Sequence, residues 1–286
     1  MIERCRDMLV KARADGRAVG AFSVYNLELA RAVCQAAEET GTPLIVQTGS
    51  SAFRYCGAAP LRELVVAAAS ESSAWIGVHL DHSRDVDEIR ACLDAGYTSV
   101  MVDGSSLRFA DNVTFTRAAV ELARRYGAWA EAELGGLAGD EDRSTDGRAS
   151  DLTDPDAAAR FVEETGVDAL AVSIGNVHGF TSEPVQLDFD RLERIRDVVR
   201  VPLVLHGASG LRPEQIRRCI SLGVAKVNVN TELRVAFLHT LRASLAAAPI
   251  SDDLPALYQP AVDAAATVVR EKQRLFSTPV ERSITL

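Results

Sequence analysis

Residues 75–104 read WIGVHLDHSRDVDEIRACLDAGYTSVMVDG. An apolar run, WIGVHLD (75–81), leads into an amphipathic stretch, DVDEIRACLDAG (85–96), and then a second apolar run, SVMVDG (99–104). The middle stretch has the spacing of a helix and ends in Gly96, the residue best suited to close one. Strand, helix and strand in this order form a parallel pair joined by a crossover. The same alternation continues in both directions. The other strand candidates are AVGAFSV (18–24), PLIVQT (43–48), AWAEAEL (128–134), ALAVSIG (169–175), PLVLHG (202–207) and KVNVN (226–230). Helical patterns such as ELARAVCQAAEETG, FTRAAVELARRYG and PEQIRRCISLG lie between them.

Eight strand–helix alternations within 286 residues predict an α/β fold, a (β/α)8 TIM barrel. A doubly wound open sheet is the competing arrangement, and no GxGxxG follows the first strand to support it. The expectation is one barrel domain over 1–286, with two additions. Residues 135–154, GGLAGDEDRSTDGRASDLTD, are polar and glycine-hinged, and read as an active-site loop. From about 250 to 286 the chain adds ALYQPAVDAAATVVREKQRLF, a C-terminal helix expected to cap the barrel or pair with another subunit.

A formal net charge of -9 argues against nucleic acid or an anionic membrane as partner. No run approaches the roughly 18 unbroken apolar residues of a membrane span. The N-terminus, MIERCRDMLVKARADG, has no signal-peptide core, so a cytoplasmic location is expected. The cysteines are 5 in number, scattered and without a CxxC pair, which fits reduced thiols.

His82, His178 and His206 each follow a short apolar segment that reads as a strand. One histidine at the end of a buried strand is usually a polar residue with a hydrogen bond. Three in matching positions on separate strands point to zinc, because three neutral imidazoles leave an open coordination position. The barrel reading strengthens this, since its active site lies at the C-terminal ends of the strands. Asp81, Asp103, Glu133, Asn228 and Asn230 fall on the same rim. His79 shares a strand face with Asp81 and reads as a packing or supporting residue, and His239 as unrelated. The loops after strands seven and eight, HGASG and NVNTE, sit where barrels often bind phosphate. Gly207, Ala208, Ser209 and Gly210 offer backbone N–H groups and a hydroxyl, and Thr231 opens a helix whose N-terminus favours an anion.

With these motifs in order, HLDH, MVDGS, EAELG, GDED, VHG, LVLHGASG and KVNVNTE, the chain resembles the class II, zinc-dependent ketose-bisphosphate aldolases from about residue 20 to 240. The resemblance implies Zn2+ on His82, His178 and His206, with Asp103 and Glu133 as a secondary metal position or support. It makes Asp81 the acid serving the aldehyde oxygen, Glu141 the proton-abstracting base, and Asn228 a further catalytic residue. Gly179, Gly207, Ala208, Ser209, Asn228, Val229, Asn230 and Thr231 would bind dihydroxyacetone phosphate, with a monovalent cation (Na+ or K+) near the phosphate. A phosphorylated sugar substrate and a homodimer or homotetramer are implied as well.

Three positions depart from the family. Ser23 stands where Asn is usual, Gly49 where Ser or Thr is usual, and Val262 near a usual Arg or Lys. Either neighbours fill in, or the aldehyde half of the substrate differs. Ser23, Thr48, Ser50 and Arg54 are the candidate distal contacts, and Arg270 and Arg274 of the partner subunit could replace a missing cation. A ketose 1-phosphate of the bisphosphate type is the expected substrate. A non-phosphate distal group, as in 6-deoxy-6-sulfofructose 1-phosphate, is the alternative. A zinc hydrolase of the amidohydrolase kind would show HxH on the first strand, which has no histidine. A catalytically dead barrel would have lost one of the acids or ligands, and none is lost.

Overall fold

A computed structural model of the chain describes residues 2, 5–70, 72–136, 151–247 and 253–280. Its strands are β1 (Val19–Ser23), β2 (Leu44–Gly49), β3 (Ile76–Ser83) and β4 (Ser99–Val102), followed by β5 (Trp129–Leu134), β6 (Ala169–Val172), β7 (Leu203–Leu205) and β8 (Val224–Val229). All pair in parallel with the next in sequence, and β8 returns to β1, so the sheet is a closed barrel. Both faces of such a sheet are covered, which is why its strands are rich in Val, Ile, Leu and Ala.

The helices are α1 (Cys5–Ala14), α2 (Leu27–Thr40), α3 (Ser50–Cys56), α4 (Ala58–Ala69), α5 (Val86–Asp94) and α6 (Phe109–Arg125). They continue with α7 (Pro155–Thr165), α8 (Phe189–Val198), α9 (Pro213–Ser221), α10 (Thr231–Ala247) and α11 (Leu254–Ser277). Two apolar clusters follow from the alternation of side chains along the strands. The larger joins the outer strand faces to the helices. The smaller fills the barrel with Val19, Ala21, Ile45, Met101, Trp129 and Val204, and is joined by Met8, Leu9 and Ala12 of α1. Helix α1 therefore closes the N-terminal end of the barrel, and the open end is the C-terminal one.

Strand β3 runs two residues past the expected end at Asp81. Leu80 pairs with Val100 and Ser83 with Val102, so β3 carries one extra residue, a bulge. His82 lies in it with φ 47°, the one non-glycine residue with positive φ among those described. Successive residues of a regular strand face opposite ways. The bulge lets both Asp81 and His82 face the barrel mouth. Strand β6 stops at Val172 rather than Gly175, because Ile174 N–H donates to Asn176 Oδ1 at 2.8 Å and leaves the ladder.

The last helix is part of the ring of helices. Its stripe of Ala261, Val262, Ala265, Ala266 and Val269 is buried, and α11 packs against α10 and α2 while touching β1 and α9. Its C-terminal end lies at the closed end of the barrel: Ala18 N–H donates to Phe276 O at 3.0 Å, and Gln273 Nε2 to Thr42 Oγ1 at 2.7 Å. Helix α10 buries only Thr231, Leu233 and Phe237. So α11 is the additional C-terminal helix of the barrel, and it sits in the ring beside α10 and α2.

Candidate metal centre and active site

His82 on β3, His178 after β6 and His206 after β7 meet at the mouth. One ring nitrogen from each lies within 4.8 Å of the others. His82 Nε2 and His206 Nδ1 are 2.8 Å apart. The outer nitrogen of each ring faces carboxylates. His82 Nδ1 is 3.3 Å from Asp103 Oδ2 and 3.7 Å from Glu133 Oε2, and His206 Nε2 is 2.9 Å from Glu131 Oε1. Ionised carboxylates only accept, so both outer nitrogens carry the hydrogen. The inner nitrogens, His82 Nε2 and His206 Nδ1, then face each other at 2.8 Å, with His178 close by, the ring-nitrogen donors that a cation such as zinc takes. His82, His178 and His206 would hold a zinc ion, whose commonest ligands are neutral imidazole nitrogens. Burial holds the His206 pKa down at about 4, against the raising effect of the Glu131 hydrogen bond, so the ring is in its neutral, ligating form at pH 7.

Asp103 and Glu133 form a second group with His82, close enough to share an ion. Burial alone would raise the Asp103 pKa. Hydrogen bonds from His82 and Ser105 and the Arg84 charge outweigh it and hold the carboxyl well below the usual range. Arg84 Nε and Nη2 both reach Asp103 Oδ2, at 3.0 and 2.8 Å.

Asp81 is buried beside the metal group. Gln47 Nε2 donates to its Oδ2 at 2.8 Å and Asn228 Nδ2 to its Oδ1 at 3.2 Å. Gln47 also donates to Ser23 Oγ at 2.9 Å, so Ser23 joins this group. Asn228 Nδ2 is 3.3 Å from His206 Nε2, but both are donors, so this contact is not a hydrogen bond. The amide oxygens of Gln47 and Asn228 are buried with no hydrogen-bond partner among the described residues, two acceptors available to hydroxyl donors.

A cleft beside the histidines is lined by His178, Gly179, Gly207, Ala208, Ser209, Asn228, Asn230 and Thr231. These are the expected phosphate residues except Val229, whose side chain is in the outer apolar cluster. Gly207 has φ 60°, and a Cβ there would stand 2.4 Å from Val177 O. Ser209 Oγ accepts from Glu232 N–H at 3.4 Å, and Tyr25 donates to Asn230 Oδ1 at 3.1 Å.

Other expected contacts are not gathered here. Thr48 faces the helices, since its neighbour Gln47 takes the inward position, and it shares a 2.8 Å hydrogen bond with Tyr97. Ser50 donates to Glu88 at 2.7 Å, which ties the start of α3 to α5. Arg54 is exposed on α3. Val262 is buried in the apolar stripe of α11, beside Ala261, Ala265, Ala266 and Val269. Arg270 pairs with Glu39 at 2.9 Å. Glu141 lies outside the described residues. The ends of its loop do meet at the mouth after β5, where Gly136 N–H donates to Asp151 O at 3.0 Å.

Gln47, Glu131, Lys226 and Arg84 were missed by sequence reasoning. The first three had a signal: each is a polar residue at an inward position of a strand, where an apolar one is the default. Arg84, on the rim, had none.

Fold and site together define an α/β-barrel enzyme with polar machinery at the C-terminal mouth. The family model for class II fructose-bisphosphate aldolase matches residues 3–279, and the chain belongs to that family of carbon–carbon lyases. The YdjI aldolase from Escherichia coli K12 is 34% identical over 98% of each chain, with a TM-score of 0.85. A putative fructose-1,6-biphosphate aldolase from Coccidioides immitis is 34% identical over 96% of each, with a TM-score of 0.89. The fructose-bisphosphate aldolase of Campylobacter jejuni, at 21% identity over 96% of this chain and 95% of its own, shares the fold with a TM-score of 0.82. Class II aldolases are generally zinc-dependent and act on phosphorylated sugars. No helix among the described residues is long and apolar enough to cross a membrane.

Proposed function

We propose that this chain is a zinc-dependent aldolase that reversibly cleaves a ketose 1-phosphate to dihydroxyacetone phosphate and an aldehyde. The observation that carries the reading is the convergence of ring nitrogens from His82, His178 and His206 within 4.8 Å of one another at the barrel mouth. His178 completes the ligand set. When bound, zinc supplies Lewis-acid stabilisation of negative charge on the substrate's oxygens.

The rest of the chemistry falls to the chain's own residues. Asp81 handles the proton of the hydroxyl at the cleaved bond, its carboxylate held in place by Gln47 and Asn228. Glu141 is the base that exchanges the carbon-bound proton of the three-carbon half. Gly179, the Gly207–Ser209 turn and the Asn228–Thr231 segment take the phosphate through backbone N–H groups and hydroxyls, aided by the N-terminus of α10 and a monovalent cation. Asp103 and Glu133 support His82 or hold a secondary metal position. Ser23, beside Gln47, is a contact for the aldehyde half.

A distal group other than phosphate is favoured by one feature. At Gly49, on the rim of β2, the side chain the family carries is absent. A 6-sulfonate or uncharged end is therefore the second reading of the substrate. Assembly as a homodimer or homotetramer and a cytoplasmic location complete the proposal. The test is metal analysis of the purified enzyme with activity before and after chelation. An enzyme that holds no zinc and is indifferent to EDTA overturns it.

A further inference from the structure

Directly beneath the three histidines, inside the barrel, lie four polar side chains that no substrate can touch. Glu131 (β5), Lys226 (β8), His79 (β3) and Ser99 (β4) have no solvent exposure. Lys226 Nζ is 2.8 Å from Glu131 Oε2, and the other Glu131 oxygen is 2.9 Å from His206 Nε2. His79 Nδ1 is 2.8 Å from Ser99 Oγ, and its Nε2 is 3.5 Å from Lys226 Nζ. A buried ion pair is a poor way to stabilise a core, since apolar residues of similar volume often do as well or better. This one has a different consequence. An ionised carboxylate offers only acceptors and an ammonium only donors. With Lys226 on one oxygen, the other can only accept from His206. That places the hydrogen on Nε2 and directs the Nδ1 lone pair toward His82 Nε2, 2.8 Å away.

We propose that Glu131 and Lys226 are positioning residues of the metal centre: Glu131 fixes His206 as an Nδ1 ligand, and Lys226 fixes Glu131 as an acceptor. The inference rests on the reading of His206 as a zinc ligand. It assigns a role to two residues that contact neither substrate nor metal. An outer carboxylate on a ligating histidine sets the tautomer and orientation of its ring. Here that carboxylate is itself held by a cation on the opposite side of the barrel.

The test compares wild type, Glu131→Gln, Lys226→Met, the double variant and His206→Ala as full-length apo-proteins. Zinc affinity is measured by competition with a chromophoric chelator, and the His206 tautomer by long-range 1H–15N correlation. In Glu131→Gln the amide N–H2 must face either the Lys226 ammonium, donor against donor, or His206, which moves the ring hydrogen to Nδ1. Zinc should bind about 10–100-fold more weakly. Glu131→Gln/Lys226→Met should recover most of that loss, because the amide nitrogen can then face a thioether and its oxygen His206. Mere core packing predicts no such recovery. Unchanged zinc affinity in Glu131→Gln, or a double variant no better than the single, overturns the proposal. If Glu131→Gln does not fold, the wild-type apo-protein still decides, since a hydrogen on His206 Nδ1 would refute it. Unchanged zinc affinity in His206→Ala would instead refute the metal-centre reading itself.

Discussion

Gln47 Nε2 lies 2.8 Å from Asp81 Oδ2, across the β2–β3 pair and away from solvent. The contact fixes the carboxylate's direction, since Asn228 holds the other oxygen from β8. A hydrogen bond to a charged group contributes roughly 1.5–3 kcal/mol. Gln47→Leu should therefore lower the rate of carbon–carbon cleavage about 10–100-fold at unchanged zinc content. Steady-state kinetics with metal analysis checks it.

The two proposed proton-transfer residues should separate by assay. Asp81→Asn should lose cleavage yet keep exchange of the carbon-bound proton of dihydroxyacetone phosphate with solvent. Glu141→Gln should lose that exchange while keeping zinc. Tritium or deuterium exchange measures the difference, and identical behaviour of the two variants would refute this division of labour.

The metal prediction has a chemical counterpart. EDTA should abolish activity, and zinc should restore it. X-ray absorption should give zinc–nitrogen distances of about 2.0–2.1 Å. Borohydride added with substrate should trap no lysine adduct. A trapped Schiff base would mean a different aldolase chemistry.

Gly207→Ala should damage both fold and phosphate binding. Its φ of 60° is one that L residues pay for, at about 1–2 kcal/mol, and the new Cβ would meet Val177 O at 2.4 Å. Urea unfolding should show at least that loss, and KM should rise. Gly179→Ala has the same backbone cost at φ 85° but nothing within 4 Å, so it should be the milder of the two.

Buried thiols set an alkaline limit. Burial raises Cys34 and Cys219 from near 9.0 to about 12, and raises Cys92 as well. The folded state keeps these thiols protonated while the unfolded chain ionises them. Their contribution is complete below pH 9 and is lost as the pH rises from about 9 toward 12. Chemical denaturation at pH 8, 9.5 and 10.5 should show the fall, with a shallower slope in Cys34→Ala/Cys219→Ala. Native-state alkylation at pH 8 should be slow at all three.

The distal end of the substrate is open to a panel assay of ketose 1-phosphates. On the second reading, in which the bare Gly49 marks a distal group other than phosphate, fructose 1,6-bisphosphate would be a poor substrate. A kcat/KM near or above about 10^4 M⁻¹s⁻¹ for it, within the usual enzyme range, would defeat the altered-substrate reading.

The barrel and the three histidines were legible in the sequence because both are local signals. Alternating strand and helix periods specify a parallel sheet, and a residue at the end of such a strand is at the barrel mouth wherever the rest of the chain goes. What needed the closed structure was every relation across the barrel. The ion pair of Glu131 with Lys226 joins positions 95 apart in sequence, and no periodicity of either segment encodes the approach. Gln47 and Thr48 are neighbours, and only the register of β2 decided that Gln47 faces Asp81 while Thr48 faces Tyr97. The bulge that turns His82 into the mouth, and the seating of α11 against β1 and α2, are likewise outcomes of closure. Alternation fixes which side chains share a face; which of them touch depends on how far each strand slides before the sheet meets itself.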